Sequence, residues 1–248
     1  MRNPHFVPQC RAGVKNTMSS QRQPWYFLPS QPGEPAWNMA LDEALMRAAP
    51  VLGRPVLRFY GWTLPAATFG FFQKIAEIER ITPLRPLIRR PTGGGLVPHD
   101  ADWTYSMTLP PTADWYHWRA TESYRHMHQW IQGALQRLGV ATELAPEKRA
   151  ELPGQCFAGY EQFDLLRLGR KIAGAAQRRT REGLLIQGSL QPTPNGLTRG
   201  DWEAAMLAHA TINWGVAWEP LTLPAFLEDE ARRLVEMKYA CTSYNARR

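Results

Sequence analysis

The chain has 248 residues and a mass of 28.2 kDa, enough for one large domain or for a domain with a small appendage. Hydrophobic residues make up 44% of it and aromatic residues 11%, which excludes a largely disordered protein. No apolar run approaches the roughly 18 residues that a membrane span requires, so we expect no membrane association. Three widely spaced cysteines, Cys10, Cys156 and Cys241, indicate neither a disulfide framework nor a metal site, and they favour the reducing cytoplasm.

The net charge of +7 and the pI near 9.6 are compatible with nucleic acid, an anionic substrate or an acidic protein partner. The basic residues are scattered and match no nucleic-acid-binding signature, so we expect no nucleic-acid partner. Residues 1–22 contain no acidic residue and no apolar periodicity, which predicts a disordered N-terminal tail. Whether translation starts at Met1 or Met18 is open, as is an organelle transit segment.

The remaining sequence predicts strands and helices without regular alternation, and therefore an α/β fold with a mixed central sheet and packed helices. Alternating and β-branched segments predict strands at Trp25–Leu28, Val56–Trp62, Ala67–Phe72, Leu87–Arg90, Thr104–Leu109 and 183–190. A hairpin centred on 169–170 is expected between strands at 163–168 and 171–177. Helical spacing predicts helices from Trp37 to a stop at Pro50 and Gly53, over 120–138, from an Asp201 N-cap to His209, and from Pro224 to Tyr239.

The segment from Arg89 to Asp100, RRPTGGGLVPHD, has the residue types of an anion site. Glycines allow backbone N–H groups to approach a ligand closely, and arginines are donors that suit phosphate or carboxylate. By itself the pattern fits an ordinary glycine turn equally well, because it lacks the spacing of the known phosphate-binding loops.

A second segment combines Gly154-Gln155-Cys156-Phe157 with GRKIAGAAQRR from Gly169 to Arg179. Together with the glycine turn, it resembles the lipoate-protein ligase and octanoyltransferase family, whose catalytic domain pairs such a turn with a Gly-x-Lys-x-x-Gly hairpin. The segments WNMALDEA from Trp37 and RFYGW from Arg58 are similar to the family's first helix and second strand. The resemblance implies a biotin/lipoate protein ligase-like catalytic domain over 23–248.

The resemblance implies transfer of an octanoyl or lipoyl group onto a lysine of a lipoyl carrier domain. The implied acceptors are lipoyl domains of 2-oxoacid dehydrogenases or the glycine cleavage H protein, with acyl carrier protein as a donor. Implied substrate-binding residues are Arg90, Gly93, Gly94, Gly95, Leu96, Val97, His99 and Lys171. Backbone N–H groups of 94–97 would hold a phosphate or a developing oxyanion. Pro98 departs from the family pattern and removes one donor.

Cys156 and Lys171 are the expected catalytic residues. In one branch of octanoyltransferases a cysteine before phenylalanine carries the acyl group as a thioester, and a nearby ammonium activates such a thiol. A small buried cysteine is the alternative for Cys156, and a solvated hairpin lysine is the alternative for Lys171. A straight hairpin would separate the two residues, so the loop 155–160 must fold back for them to meet.

We therefore predict a protein octanoyltransferase without a tightly bound cofactor, and an ATP- and magnesium-dependent lipoate-protein ligase is the alternative. A chain ending at Arg248 leaves no room for the accessory domain of two-domain ligases, which favours the transferase or a ligase whose accessory domain is separate. A non-catalytic acyl-binding protein and a biotin-protein ligase are further alternatives. The preference between octanoate and lipoate, and the oligomeric state, are not predicted.

Overall fold

A computed structural model describes residues 22–149, 157 and 159–246, so the predicted tail lies outside it except for Arg22. The strands are β1 (Gln23–Gly33), β2 (Val56–Trp62), β3 (Ala66–Phe69), β4 (Leu87–Arg89), β5 (Val97–His99), β6 (Trp103–Leu109), β7 (Glu143–Leu144), β8 (Leu165–Arg167), β9 (Arg170–Arg179), β10 (Leu184–Leu190) and β11 (Val216–Pro220). The helices are α1 (Pro35–Leu52), α2 (Ile75–Ile78), α3 (Asp114–His117), α4 (Ala120–Arg137), α5 (Arg199–Trp214), α6 (Ala225–Leu234) and α7 (Thr242–Asn245), with a π-helical turn at Val235–Tyr239.

Eight strands form one mixed sheet in the order β11-β1-β2-β6-β10-β9-β8-β7. β1 pairs in parallel with β11 and β2, and the other neighbours pair antiparallel. A separate three-stranded sheet, β4-β3-β5, carries the glycine turn between β4 and β5. The predicted mixed α/β architecture is confirmed.

The two faces of the large sheet differ in chemistry because β6 alternates strictly between apolar and polar side chains. Trp103, Tyr105, Met107 and Leu109 join the larger apolar core, which includes buried residues of α4 and α5. Thr104, Ser106 and Thr108 belong to the opposite face and are equally buried there. A buried polar face requires hydrogen-bonding partners, and those of Thr104 and Ser106 form part of the site described below.

Several predicted boundaries were wrong. β1 continues through the expected loop to Gly33, with a register irregularity between Leu28 and Gln31 that accommodates Pro29. α1 begins at Pro35, where a helix needs no N–H donor, and it continues through Pro50 in its last turn before Gly53 ends it at φ +66°.

The cap of α5 was also assigned to the wrong residue. Thr198 is the N-cap, and Asp201, at the third helical position, completes a capping box by accepting from the Thr198 N–H at 2.8 Å. The helix runs beyond His209 to Trp214. The predicted strands 67–72 and 87–90 end at Phe69 and Arg89, while β5 and β11 were not predicted.

The hairpin between β8 and β9 is confirmed, one residue earlier than predicted. Arg167 pairs with Arg170, so the two-residue loop is Leu168-Gly169, and both loop residues have positive φ, +52° and +72°. Positive φ at both positions is the type I′ geometry that matches the twist of the flanking strands. The loop therefore presents Leu168 at a defined point, and Lys171 follows as the second residue of β9.

Candidate active site

Lys171 is held by a buried carboxylate rather than by solvent. Its Nζ lies 2.7 Å from Oδ2 of Asp164, and the two side chains are 7% and 0% exposed. The Asp164 carboxylate also accepts hydrogen bonds from the Tyr124 hydroxyl and, at 2.7 Å, from the N–H of Glu161. Charge-assisted bonds of this kind fix the position of a buried ammonium, so a solvated hairpin lysine does not describe Lys171.

Gly174 leaves the space in which the Lys171 side chain lies. A Cβ atom at this position would be 2.5 Å from Cε and 2.6 Å from Nζ of Lys171, and 3.0 Å from Oδ1 of Asp164. Both side chains are enclosed, so neither can easily move away. The spacing Lys-x-x-Gly is therefore a steric requirement of the ion pair.

Phe157, which precedes the hairpin in the sequence, contacts Lys171. The Phe157 ring centroid lies 5.0 Å from Lys171 Nζ, within the range of a cation–π contact. Cys156, the preceding residue, lies outside the described residues. The contact at Phe157 is compatible with the expected return of the loop toward Lys171, and that return and the role of Cys156 stay predictions.

Arg90 ties the glycine turn together. Its guanidinium donates to the carbonyl oxygens of Gly93 at 2.6 Å, Gly95 at 2.7 Å and Thr68 at 3.1 Å. Gly94 has φ +84°, and a side chain at Gly70 would collide with its carbonyl oxygen. These bonds give Arg90 a positioning role that the sequence did not indicate, and its binding of substrate stays a prediction.

The other turn residues divide between core and cavity. Leu96 packs into a small core of the three-stranded sheet, whereas Val97 lines the cavity beside Lys171. Pro98 lies in the edge strand β5, where proline is tolerated. The binding roles predicted for Gly93, Gly94, Gly95, Leu96 and Val97 rest on the turn's backbone and stay predictions.

The Arg89 guanidinium donates hydrogen bonds to backbone carbonyl groups rather than to a bound anion. It is fully buried and donates to the carbonyl oxygens of Phe71 (2.7 Å), Gln73 (2.6 Å) and Asn245 (3.0 Å). It therefore joins the start of the glycine turn to the C-terminal helix α7. Arg90 therefore holds the turn itself, and Arg89 holds the strand that leads into it.

His99 is built into a second buried network. Its Nδ1 donates to Oδ2 of Asp102 at 2.9 Å, its Nε2 lies 2.8 Å from the Thr68 hydroxyl, and its ring stacks on Trp62 at 3.9 Å. Burial raises the pKa of Asp102, but the charge of His99 and hydrogen bonds from His99, Ser189 and Thr104 outweigh this and lower it. Both ring nitrogens are thus engaged within the fold, and the binding role predicted for His99, which borders the cavity, stays a prediction.

A network on the polar face of the sheet was missed by the sequence analysis. Asp42 of α1 is fully buried and accepts hydrogen bonds from Arg58 (2.6 Å), Ser106 (2.7 Å), Gln187 (2.7 Å) and Tyr60 (3.0 Å). Burial, and then the charge of Asp42, raise the pKa of Tyr60 well above its usual value, so its hydroxyl stays a donor. The polar residues that alternate along β6 were the sequence pattern that could have indicated this network.

Gln187 connects that network to the glycine turn. Its Oε1 accepts a hydrogen bond of 2.8 Å from the Thr92 hydroxyl, while its Nε2 donates to Asp42. The position of the turn is therefore linked to α1 and β6 through a single side chain on β10.

These elements enclose one cavity. It is lined by Met39, Tyr60, Thr68, Arg90, Val97, His99, Thr104, Phe157, Lys171, Gly174, Ala175, Ala176, Gln187, Gly188 and Ser189. Small residues of β9 and β10 form one wall, and Lys171 and Phe157 also border a wider groove outside. Among the described residues, no group of three or more His, Cys, Asp or Glu side chains is placed to hold a metal ion, and no helix is long and apolar enough to cross a membrane.

Comparison with known proteins identifies the family of this chain. The model of the lipoyl protein ligase A/B catalytic domain matches residues 34–200, which include both the glycine turn and the Lys171 hairpin. The chain belongs to this family. The resemblance inferred from the two motifs is thereby confirmed.

Similar members of the lipoyl protein ligase A/B family include two proteins named octanoyltransferase LipM. The protein from Halalkalibacterium halodurans is 35% identical over 179 residues, covering 67% of this chain and 65% of the relative. That from Symbiobacterium thermophilum is 30% identical over 263 residues, covering 85% of this chain and 94% of the relative. The chain thus covers just under two thirds of the length of the Halalkalibacterium protein.

Solved structures confirm the ligase-like fold. The bipartite lipoate protein ligase of Thermoplasma acidophilum, described with its E2 lipoyl domain, gives a TM-score of 0.69 at 20% identity, covering 92% of this chain and 98% of that one. At this identity the likeness concerns the fold alone. It agrees with the mixed sheet and packed helices described above.

Proposed function

We propose that this protein is an acyltransferase that moves an octanoyl group onto a lysine of a lipoyl carrier domain. Cys156 would carry the acyl group as a thioester, and Lys171 would stabilise charge on the acyl carbonyl oxygen. Family membership and relatives named octanoyltransferase support this activity. The acceptor is a lipoyl domain, of a 2-oxoacid dehydrogenase or of the glycine cleavage H protein, and an acylated carrier protein is the donor.

The observation that carries the proposal is the contact between Phe157 and Lys171. It places the aromatic ring of the residue that follows Cys156 in the sequence 5.0 Å, centroid to Nζ, from a buried ammonium. A neighbouring positive charge lowers the pKa of a thiol and raises the fraction of reactive thiolate. Thioester formation at Cys156 would use such a charge.

The chemistry proceeds in two balanced steps. The Cys156 thiolate attacks the carbonyl carbon of the donor thioester, and the carbon–sulfur bond to the donor breaks as its thiolate leaves and takes up a proton. The neutral amine of the acceptor lysine then attacks the new thioester, loses a proton and releases Cys156 as thiolate. Each attack places negative charge on the carbonyl oxygen, where the Lys171 ammonium and the backbone N–H groups of 94–97 would stabilise it.

The cavity wall suits an unbranched acyl chain. Gly174 and Ala176 of β9 lie opposite Ser189 and Gln187 of β10, and all four residues line the cavity beside Lys171. Met39 adds a flexible apolar contact. A linear chain with its carbonyl at Lys171 would therefore extend along β9 and β10.

An ATP-dependent lipoate-protein ligase is the second candidate, and the fold of the Thermoplasma ligase makes it worth testing. In that reaction the glycine turn would bind the phosphate of an acyl adenylate, and ATP and magnesium would be required. The transferase needs neither and holds no tightly bound cofactor. The two candidates therefore differ in the donor they consume.

The experiment supplies purified protein with a lipoyl domain and either octanoyl-acyl carrier protein, or octanoate with ATP and magnesium. We expect the mass of the lipoyl domain to increase by one octanoyl group with the carrier protein alone. Product formed only with octanoate and ATP would overturn the transferase in favour of the ligase. Absence of product with both donors would leave a non-catalytic acyl-binding protein.

A further inference from the structure

The tip of the β8–β9 hairpin combines features that suit a protein partner better than solvent. Leu168 is 92% exposed, and it occupies a left-handed backbone conformation with φ +52°. An exposed position and a left-handed backbone are both unfavourable for leucine, whereas asparagine or glycine tolerates both. A leucine that is unfavourable in the free protein is explained by a contact that buries its side chain when a partner binds.

Two positive charges flank this leucine. Arg167 and Arg170 are directly paired across the hairpin, are both exposed, and form no ion pair within the described residues. The tip is therefore an apolar point between two available guanidinium groups. Such a surface is complementary to an acidic protein that offers a small apolar recess.

A groove leads from this tip to the candidate active site. It is bordered by Leu168, Arg170, Gln191 and Pro192, and it reaches Phe157 and Lys171, which also line the acyl cavity. Asp100 is an acidic residue on the groove's rim. The groove thus provides a path along which an external group approaches Lys171.

We propose that the hairpin tip, Arg167 to Arg170, is the docking point for the acidic surface of the acceptor domain around its target lysine. This inference rests on the proposed function, because it assumes an acylated enzyme and a lysine acceptor. A lysine reaches only as far as its four-carbon stem, so the body of the acceptor domain must touch the rim of the groove. A donor that presents its acyl group on a long flexible arm has no such constraint.

The test uses Leu168→Asn, with Ile212→Ser as the control for removing an exposed apolar side chain. Asparagine tolerates the left-handed backbone, so we expect the thermal midpoint of unfolding to be unchanged or raised. We expect kcat/KM for the lipoyl domain to fall roughly tenfold, mainly through KM, as is typical of a central interface contact. Ile212 is exposed on α5, and its replacement should leave kcat/KM unchanged.

The charges are tested with the double variant Arg167→Glu/Arg170→Glu, controlled by Arg80→Glu at another exposed arginine. We expect titration calorimetry to show weaker binding of the unmodified lipoyl domain, by roughly tenfold or more at low salt. Binding to the wild-type protein should weaken as salt is added, and the double variant should show a smaller salt effect.

The outcomes separate this inference from the proposed function. Absence of octanoyl transfer by the wild-type protein with either donor would reject the function itself. Normal transfer together with unaltered acceptor binding and KM in both hairpin variants would reject the docking point alone. A defect confined to acyl loading from the carrier protein would assign the tip to the donor and would equally overturn the inference.

Discussion

Lys171 and Asp164 form a buried ion pair, with Nζ and Oδ2 2.7 Å apart, at the point where the β8–β9 hairpin borders the cavity. Asp164 precedes β8, and its carboxylate is also bound by Tyr124 of α4. The pair thus joins the start of β8, β9 and α4. An ammonium held this way keeps its position without a ligand.

Replacing Asp164 with asparagine will remove the carboxylate that pairs with the buried Lys171 ammonium. We expect the free energy of unfolding to fall by about 3 kcal/mol, because breaking one side of a buried ion pair removes its compensation. Urea denaturation measures the change, and Asp229→Asn, at an exposed position of α6, is the control. Equal stability of Asp164→Asn and the wild-type protein would show that the pair contributes little.

Gly174→Ala will displace the ammonium without removing it. The added Cβ would lie 2.5 Å from Cε of Lys171, so the side chain must leave its position. We expect acyl transfer to fall at least roughly tenfold, since misplacement by about 1 Å costs large factors in rate. Gly200→Ala, where the nearest atom is at 3.7 Å, should retain full activity. Full activity in Gly174→Ala would mean that the position of Lys171 is not critical.

Arg90→Lys will loosen the glycine turn. A lysine ammonium cannot reproduce the forked donation to the carbonyl oxygens of Gly93 and Gly95. We expect transfer to fall roughly tenfold or more, with a loss of about 1–3 kcal/mol in the free energy of unfolding from the unsatisfied carbonyl groups. Arg80→Lys on the surface is the control. Unchanged activity and stability would assign the shape of the turn to other contacts.

His128 makes the fold sensitive to acid. Burial lowers its pKa to about 4 despite the opposing charge of Asp164, and its Nε2 has no hydrogen-bond partner among the described residues. In the unfolded chain the imidazole binds its proton near the ordinary histidine pKa of 6.5, so stability is complete above that pH and declines as pH falls from about 6.5 toward 4.

The loss attributable to His128 should be about 2 kcal/mol at pH 5 relative to pH 8. In His128→Gln the difference in unfolding free energy between pH 8 and pH 5 should shrink by that amount, as measured by urea denaturation at both values. His117→Gln, at an exposed position, is the control. The same pH dependence in His128→Gln and the wild-type protein would assign the acid sensitivity to other groups.

Local patterns predicted most of the large elements because their signals lie within the elements themselves. Val56–Trp62 and the α4 helix appear almost where periodicity places them, and the β8–β9 hairpin turns one residue before the predicted Gly169-Arg170. β5 has only three residues and includes Pro98, so its pairing with β3 depends on a distant partner. A pattern within three residues carries too little information to predict such a strand.

The site was only partly predictable from the sequence, because several of its contacts join residues that are distant along the chain. The motifs identified Lys171 and the glycine turn, and both line one cavity through Lys171, Arg90 and Val97. The dependence of Arg90 on turn carbonyls, and of Lys171 on Asp164, arises from tertiary packing. Asp42 resembles any polar residue on an amphipathic helix until the polar face of β6 is seen to be buried against it.

The most direct test of the account is an acyl-enzyme chase. The protein is loaded with octanoyl-acyl carrier protein, separated from the donor and mixed with the lipoyl domain, and both are followed by intact and peptide mass spectrometry. We predict a hydroxylamine-labile octanoyl group on the peptide containing Cys156, which moves onto the lipoyl-domain lysine and is absent in Cys156→Ala, while Lys171→Ala transfers at a greatly reduced rate. Full transfer by Cys156→Ala, or an acyl group that stays on the enzyme when the lipoyl domain is added, would contradict the account.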